Sequence, residues 1–543
     1  MIYKYDIVII GSGISGLFTL KHLLEENVKN VIVLDKNSEP FGVWNVNNHP
    51  SVYEKSHTVS SKLYMTITDF PFPENAPEFP HHSIILKYYQ DYADHFNLYP
   101  YIKQNINITQ IKKKNNLWIL NSNNDIYYSK YIVCATGTVN DCPNIPNDPY
   151  YKNFTGQILH NDNYEQIQNV ENKNILVVGG SDTSVDLAME LKNNNNVTLS
   201  IKNGMWFQNR NLGAYEAADM FYNRVWDFFV KNIVSKKYVD NNTNPYANNN
   251  IQFWWGVKGS GIDIWKSKCD YLNSYYVKSR EIIEQISKGI IIPENDIKSI
   301  NKEKVTFETG NTRKYDIILL CTGYKQLSCM KFLDNNIVNT PKYKHIFYPN
   351  DTSIMFVGYI RPYLTSIPMI SEIQSRWIAK IISGACKLPS IEQMKEEIIK
   401  DDLNQSKEFP CSYDRLKTII DPYSYYNMVA IKINAHPNYI KLFFNNINLF
   451  YKILLGSWNP HVYRLNDKSK TKQDIAVKNI NNIYNYNKAS KKIESTTFRW
   501  FFYYLYYVFL FVLIIYLLYF AYLNKKTVIK YIKNQINYLS HKK

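Results

Sequence analysis

The residues whose types and spacing specify chemistry most directly are Gly11-Ser12-Gly13-Ile14-Ser15-Gly16. In a turn between a strand and a helix, the first glycine permits the tight bend and the second lets the backbone approach a pyrophosphate. The third lets the helix pack on the strand. Asp35, 19 residues beyond Gly16, closes the next apolar run, where a carboxylate accepts hydrogen bonds from ribose hydroxyls. A second turn of this kind is Gly179-Gly180-Ser181-Asp182-Thr183-Ser184, with small Ser181 and Ser184 at the second and third glycine positions. Lys202 and Arg210 follow the strand after it, and no acid stands there. Cations at that place suit a 2′-phosphate, which selects NADPH over NADH.

Both turns need elements to hold them. Residues 5–10 are rich in Ile and Val and read as the strand that feeds the first turn; Leu17, Leu20, Leu23 and Leu24 follow at helical spacing. Residues 174–178 and 185–191 repeat this order around the second turn, and 197–201 reads as the next strand. Two such units predict an α/β fold with two Rossmann-like dinucleotide-binding domains, the second inserted in the first. The first domain takes residues 1–150 and returns at 331–465; the second takes 151–330. Within the second, the aromatic-rich stretch 206–290 lacks strand periodicity and is expected to be mostly helical. Residues 466–498 are polar and read as a linker.

From Trp500 to Leu523 no residue is charged. As a helix this run is about 36 Å long, enough to cross a hydrocarbon core of about 30 Å. Arg499 flanks it on one side and Lys525, Lys526, Lys530 and Lys533 on the other. Residues 499–524 are therefore expected to form a single-pass transmembrane anchor, with the large N-terminal part cytosolic and 525–543 a basic tail. Hydrophobic residues at 45% exclude a disordered chain. The net charge of +16 is spread over scattered lysines without a nucleic-acid motif, so it reads as a solvated basic surface facing anionic lipid. The seven cysteines include no C-x-x-C pair, which argues against a redox dithiol or a zinc site and predicts unpaired thiols in a reducing compartment.

Further segments fall in order around the two turns. They are Phe41-Gly42-Val43-Trp44, Asp69-Phe70-Pro71-Phe72-Pro73, and Ala135-Thr136-Gly137. Next come Phe154-x-Gly156-x-x-x-His160-x-x-x-Tyr164, Cys321-Thr322-Gly323-Tyr324, Glu372-x-Gln374-x-Arg376-Trp377, and Pro460-x-x-Tyr463-Arg464-Leu465. Together with the turns, they resemble the flavin-containing monooxygenase family, of the membrane-anchored, dimethylaniline N-oxide-forming type, over roughly residues 3–480. The resemblance implies FAD on the first turn, with Asp35, Gly42, Val43, Trp44, Thr136, Gly137 and Gln374 beside it. It implies NADPH on the second turn, with Lys202, Arg210 and the crossing at Gly323. His160 is a family marker with a structural role.

In the family, NADPH reduces FAD, and the reduced flavin and dioxygen form a C4a-hydroperoxide. That species passes oxygen to the amine nitrogen or thioether sulfur of a small molecule; for the eukaryotic type this occurs at the endoplasmic reticulum. The nucleophile belongs to the substrate, so the protein supplies placement and a dry pocket. One segment departs from the pattern. Thr58-Val59-Ser60-Ser61-Lys62 has Val59 where the family has an Asn that helps hold the oxygenated flavin and the nicotinamide. Thr58, Ser60 and Ser61 are the candidates to serve there. Three alternatives stay open: an NADPH oxidase that releases peroxide, a Baeyer-Villiger-type oxygenase, and a non-catalytic membrane-tethered flavoprotein.

Overall fold

The computed structural model describes residues 1–48, 51–138, 142–208, 210–212, 216–225, 227–228, 257–259, 263–265, 276–279, 281–325, 330–409, 418–490, and 510, 513 and 514. Apolar β1 (Ile2–Ile10) and β2 (Val31–Leu34) lie side by side and parallel, with Ile10 opposite Leu34. Helix α1 (Ile14–Glu25) joins them and is buried along most of its length, Leu17, Leu20 and Leu23 entirely. The remaining strands of this sheet are β3 (Ile102–Lys103), β4 (Ile108–Lys114), β5 (Leu117–Ser122) and β6 (Ile126–Cys134), in the order β3-β2-β1-β6-β5-β4. Strand Ile354–Phe356 joins it late, parallel to β6, with Phe356 opposite Cys134.

A second sheet is completed before that return. Its five strands are parallel, in the order Ile291–Glu294, β9 (Asn196–Ser200), β8 (Asn174–Val178), Ile317–Leu320 and β7 (Gln157–His160). Near-continuous burial of β8, β9 and Ile317–Leu320 is what a parallel sheet covered on both faces requires. Each sheet has its own core. One is built on Ile7, Phe18, Trp377 and Trp458, the other on Val177, Leu199, Trp265 and Leu319.

The segment 460–464 is locked onto the first core by a buried ion network. Arg464 donates to Thr68 Oγ1 (2.7 Å), Asp69 (3.2 Å), Glu372 (3.1 Å) and Asp467 (3.0 Å), and Lys21 of α1 also pairs with Asp69. His461 Nδ1 donates to the Thr68 carbonyl (3.1 Å). Burial alone would raise the Asp69 carboxyl, but Lys21 and Arg464 outweigh it and hold it well below the usual carboxylate range.

Three expectations are corrected. The described part of 206–290 is not mostly helical. It holds short strands at Trp206–Gln208, Asn211–Leu212, Glu216–Ala217, Val257–Gly259 and Tyr276–Val277, 3-10 turns at Ala218–Phe221 and Asp263–Trp265, helical residues 224–225 and 227–228, and the helix Glu281–Ser287. Residues 466–498 are not all linker: Lys470–Ser490 is a 21-residue helix that packs on the first core through Ile480, with Val477 and Ile483 against it. Cys142 is disulfide-bonded, whereas Cys134, Cys321 and Cys386 are free thiols. The expected span 499–524 and tail 525–543 lie outside the described residues, apart from 510, 513 and 514. Among the described residues, no helix is long and apolar enough to cross a membrane.

Candidate active site

At the end of β1, Gly11 turns the chain at φ +105°, and its N–H donates to the Leu34 carbonyl (2.8 Å). A side chain there would stand 2.5 Å from the Ala135 carbonyl oxygen, and one at Gly16 would overlap the Gly11 carbonyl. The protein's own packing therefore demands both glycines. Gly13 differs. Its backbone is extended (φ −65°, ψ 174°), and an added Cβ would meet nothing nearer than Gly42 Cα at 3.7 Å. Gly13 is also the N-cap of α1, and no side chain caps that end. The open space and the unclaimed N–H groups of Ile14, Ser15 and Gly16 fit a dinucleotide pyrophosphate.

The residues expected around this turn converge on it. Asp35 Oδ2 accepts from Ser12 N–H (2.6 Å) and Ser12 Oγ (2.8 Å), while Oδ1 accepts from Asn37 N–H (2.9 Å). Phe41 N–H donates to the Ser12 carbonyl (3.0 Å), which lays the 3-10 turn Gly42–Trp44, with half-buried Val43 and Trp44, over Gly13. Thr136 N–H donates to the Tyr359 hydroxyl (2.9 Å), just before Gly137. Gln374 is fully buried; its Oε1 accepts from Gly358 N–H (3.0 Å) and its Nε2 donates to the Tyr425 hydroxyl (2.9 Å). Ser15 and Ser371 share a hydrogen bond of 2.9 Å. Sequence reasoning missed Gly358, Tyr359 and Ser371. Nothing in their spacing signals that helix Ile367–Ile382 and the loop after Phe356 close over the turn.

The second turn is built differently. Gly179 is again required, since a side chain would overlap the Cys321 carbonyl. Ser181 caps helix Asp182–Leu191 reciprocally with Ser184: Ser184 N–H donates to Ser181 Oγ (3.3 Å) and Ser181 N–H to Ser184 Oγ (2.9 Å). Thr183 lies in the first turn of that helix, and Gly180 precedes its cap. Lys202 is exposed and pairs with Asp296 (2.9 Å). Arg210 donates through Nε to the Lys278 carbonyl (2.8 Å) and pairs with Asp186 (3.3 Å). His160 Nε2 donates to the Gly323 carbonyl (3.1 Å), which ties β7 to the crossing after Ile317–Leu320.

The Thr58–Ser61 segment is held by residues that the sequence reading did not single out. Ser61 N–H donates to Asp219 Oδ2 (2.8 Å), and Ser60 Oγ donates to the Thr365 carbonyl (3.3 Å). The Lys278 ammonium donates to Ser60 Oγ (3.4 Å) and to the Leu364 carbonyl (3.5 Å), and Lys278 N–H donates to Asp182 Oδ1 (2.9 Å). Thr58, Ser60, Ser61, Asp219 and Lys278 are all buried, and Val59 is half-buried. Burial raises the Asp219 carboxyl against the pull of Lys278. Burial lowers the Lys278 amine against Asp219 and Asp182. Thr58 Oγ1 and Thr365 Oγ1 are buried without a hydrogen-bond partner among the described residues, and the Ser61 hydroxyl lies beside the Asp219 carboxyl. Polar atoms buried without partners are rare in folded chains and mark a place where a ligand or water belongs.

The family model of flavin-binding monooxygenase-like proteins matches residues 4–524. The chain belongs to that family. As a flavin-binding monooxygenase it is an oxidoreductase that depends on FAD and NADPH. Among its curated relatives, it is 27% identical over 485 residues to dimethylaniline monooxygenase [N-oxide-forming] 2 of Oryctolagus cuniculus, covering 84% of this chain and 88% of the relative. It is 26% identical over 497 residues to flavin-containing monooxygenase 5 of Rattus norvegicus, covering 86% and 90%. The same fold occurs in S-allyl-L-cysteine S-oxygenase from Allium sativum, with a TM-score of 0.57 at 18% identity over 89% of this chain and 99% of that one. It also occurs in cyclohexanone monooxygenase bound to epsilon-caprolactone, with a TM-score of 0.60 at 16% identity over 79% and 97%. In this flavin-binding monooxygenase, the uncapped, open turn at Gly13 is the better fit to a tightly held dinucleotide. The turn at Ser181 already pairs two of its own N–H groups, those of Ser181 and Ser184.

Proposed function

We propose that this flavoprotein transfers one oxygen atom of dioxygen to a soft nucleophile, the nitrogen of an amine or the sulfur of a thioether, at the expense of NADPH. FAD lies along Gly11–Gly16 with Asp35, Gly42–Trp44, Thr136, Gly137 and Gln374 around it. NADPH lies along Gly179–Ser184, with Gly323 behind the turn and Lys202 and Arg210 toward its 2′-phosphate. The carrying observation is Lys278. Its backbone bonds Asp182 of the second turn while its ammonium reaches Ser60, so one residue's length separates the second turn from the loop at Val59. That closeness supports hydride transfer from the nicotinamide to the flavin. The unpartnered hydroxyl of Thr58 lies in the same loop, as a hydrogen-bonding group walled off from water. Bound flavin supplies the redox and oxygen chemistry; the chain orients the partners and keeps water out.

The experiment is a panel of tertiary amines and thioethers scored for oxygenated product against NADPH consumed. A product-to-NADPH ratio near one on some member supports the reading. Peroxide matching NADPH on every member would replace it with an NADPH oxidase, the reading that Val59 favours, since its side chain carries no donor. The uncharged run 500–523 supports a C-terminal membrane anchor. Recovery of the full-length protein in the membrane fraction, lost on truncation before Arg499, tests that placement.

A further inference from the structure

Lys278 is an expensive residue to bury for packing alone. It makes two long contacts, to Ser60 Oγ and the Leu364 carbonyl. It feels Asp219 electrostatically, yet the two form no direct ion pair within 4.0 Å. An apolar side chain would fill that volume with less desolvation cost. Its contacts have a pattern, however. Asp219 takes the N–H of Ser61, and Lys278 takes the hydroxyl of the adjacent Ser60. Both come from the segment 206–290, and they grip the loop at two consecutive residues. Ser60 Oγ, receiving from Lys278 and donating to Thr365, has its rotamer fixed. The Thr58 hydroxyl is left unspent.

We propose that Lys278 is a positioning residue for oxygen transfer. Through Ser60, and together with Asp219 at Ser61, it holds the Thr58–Ser61 loop so that the free hydroxyl of Thr58 faces the reacting partners. The proposal rests on the monooxygenase reading above. It concerns the Lys278 ammonium alone and assigns that group no part in flavin binding or in flavin reduction; the backbone N–H that bonds Asp182 is unchanged in the variants below.

The test compares Lys278→Met and Lys278→Arg with the wild type in the full chain. Hydrogen exchange of peptides spanning residues 57–66 reads the loop directly, with or without turnover. Lys278→Met is expected to speed exchange there at least tenfold. It should leave FAD content and the anaerobic rate of flavin reduction by NADPH within twofold, and lower the product-to-NADPH ratio at least fivefold with a matching rise in peroxide. Lys278→Arg, which keeps the cation, should restore most of the coupling. A merely structural role would slow reduction and coupling together. Wild-type exchange in the loop, or wild-type coupling, in Lys278→Met overturns the proposal. Should Lys278→Met fail to retain FAD, Ser60→Ala decides in its place, and full coupling in that variant overturns the proposal. A wild-type enzyme that oxygenates no member of the panel overturns the monooxygenase reading instead, while the exchange measurement still reports on the clamp.

Discussion

Gly13→Ala separates a glycine kept for the fold from one kept for a ligand. The backbone at Gly13 (φ −65°, ψ 174°) suits alanine, and the new methyl would meet only Gly42 Cα at 3.7 Å. The apoprotein should therefore keep its stability or gain about 0.4–1 kcal/mol, because alanine restricts the unfolded chain. The methyl stands at the uncapped N-terminus of α1, however, between the first-turn N–H groups and any phosphate approaching them. Losing two charge-assisted hydrogen bonds at about 1.5–3 kcal/mol each costs about 3–6 kcal/mol. That corresponds to FAD binding weakened on the order of a hundredfold to ten-thousandfold. Flavin-fluorescence titration of apoprotein gives the affinity, and thermal melts of the same sample give the stability. Gly16→Ala, whose methyl would overlap the Gly11 carbonyl, should lower the apoprotein melt itself. FAD affinity within threefold of wild type in Gly13→Ala would refute the assignment of this turn to the pyrophosphate.

Two further predictions concern the buried network under segment 460–464. Arg464→Met leaves the Glu372 carboxylate buried without its cation and Asp69 with Lys21 alone, at a cost of about 3–5 kcal/mol. Urea unfolding read by tryptophan fluorescence should show this, with part recovered in Arg464→Met/Glu372→Gln; a cost below about 1 kcal/mol would contradict the network's role. Burial holds His461 at about 4, below its ordinary 6.5. A lowered histidine is neutral in the folded state, so its stability contribution is intact above pH 6.5 and is lost as pH falls toward 4, about 3 kcal/mol in all. Asp69, held low, loses its contribution only below its ordinary 3.8. Urea midpoints at pH 7, 5.5 and 4.5 should therefore fall more steeply in wild type than in His461→Gln, and parallel slopes would rule out the assignment.

What the residues revealed alone depended on how local the constraint was. The turn at Gly11–Gly16 was legible because a tight bend after a strand, and backbone packed against Gly11 and Gly16, restrict residue type at fixed spacing, and Asp35 at the end of the next strand folds back to bond Ser12 of that turn. In the described part of the inserted segment, strands such as Asn211–Leu212 and Glu216–Ala217 were missed because they are two residues long, too short for a period-two pattern to register. Helix Lys470–Ser490 was taken for linker because its composition is polar, and its burial falls on a narrow stripe at Ala476 and Ile480, four residues apart. Asp219 and Lys278 had no signal at all. A lone acid and a lone lysine in an aromatic-rich stretch acquire meaning only when the fold closes them over Ser60 and Ser61.

The two turns also differ in a way that bears on how the enzyme cycles. At Gly13 the helix end has no side-chain cap, and its first N–H groups gain partners only from an anion, so binding there adds hydrogen bonds the protein lacks. At Ser181 the reciprocal cap with Ser184 already satisfies the N–H groups of those two residues, and Lys202 and Arg210 already have Asp296 and Asp186. A dinucleotide binding there replaces interactions, and replacement is worth less than addition. The first site should hold its cofactor through turnover while the second exchanges, as a reductant consumed each cycle must. Gel filtration of the loaded enzyme tests this asymmetry. FAD should remain with the protein and NADP+ should elute from it, whereas co-elution of both would show that the self-cap at Ser181 opens fully for its ligand.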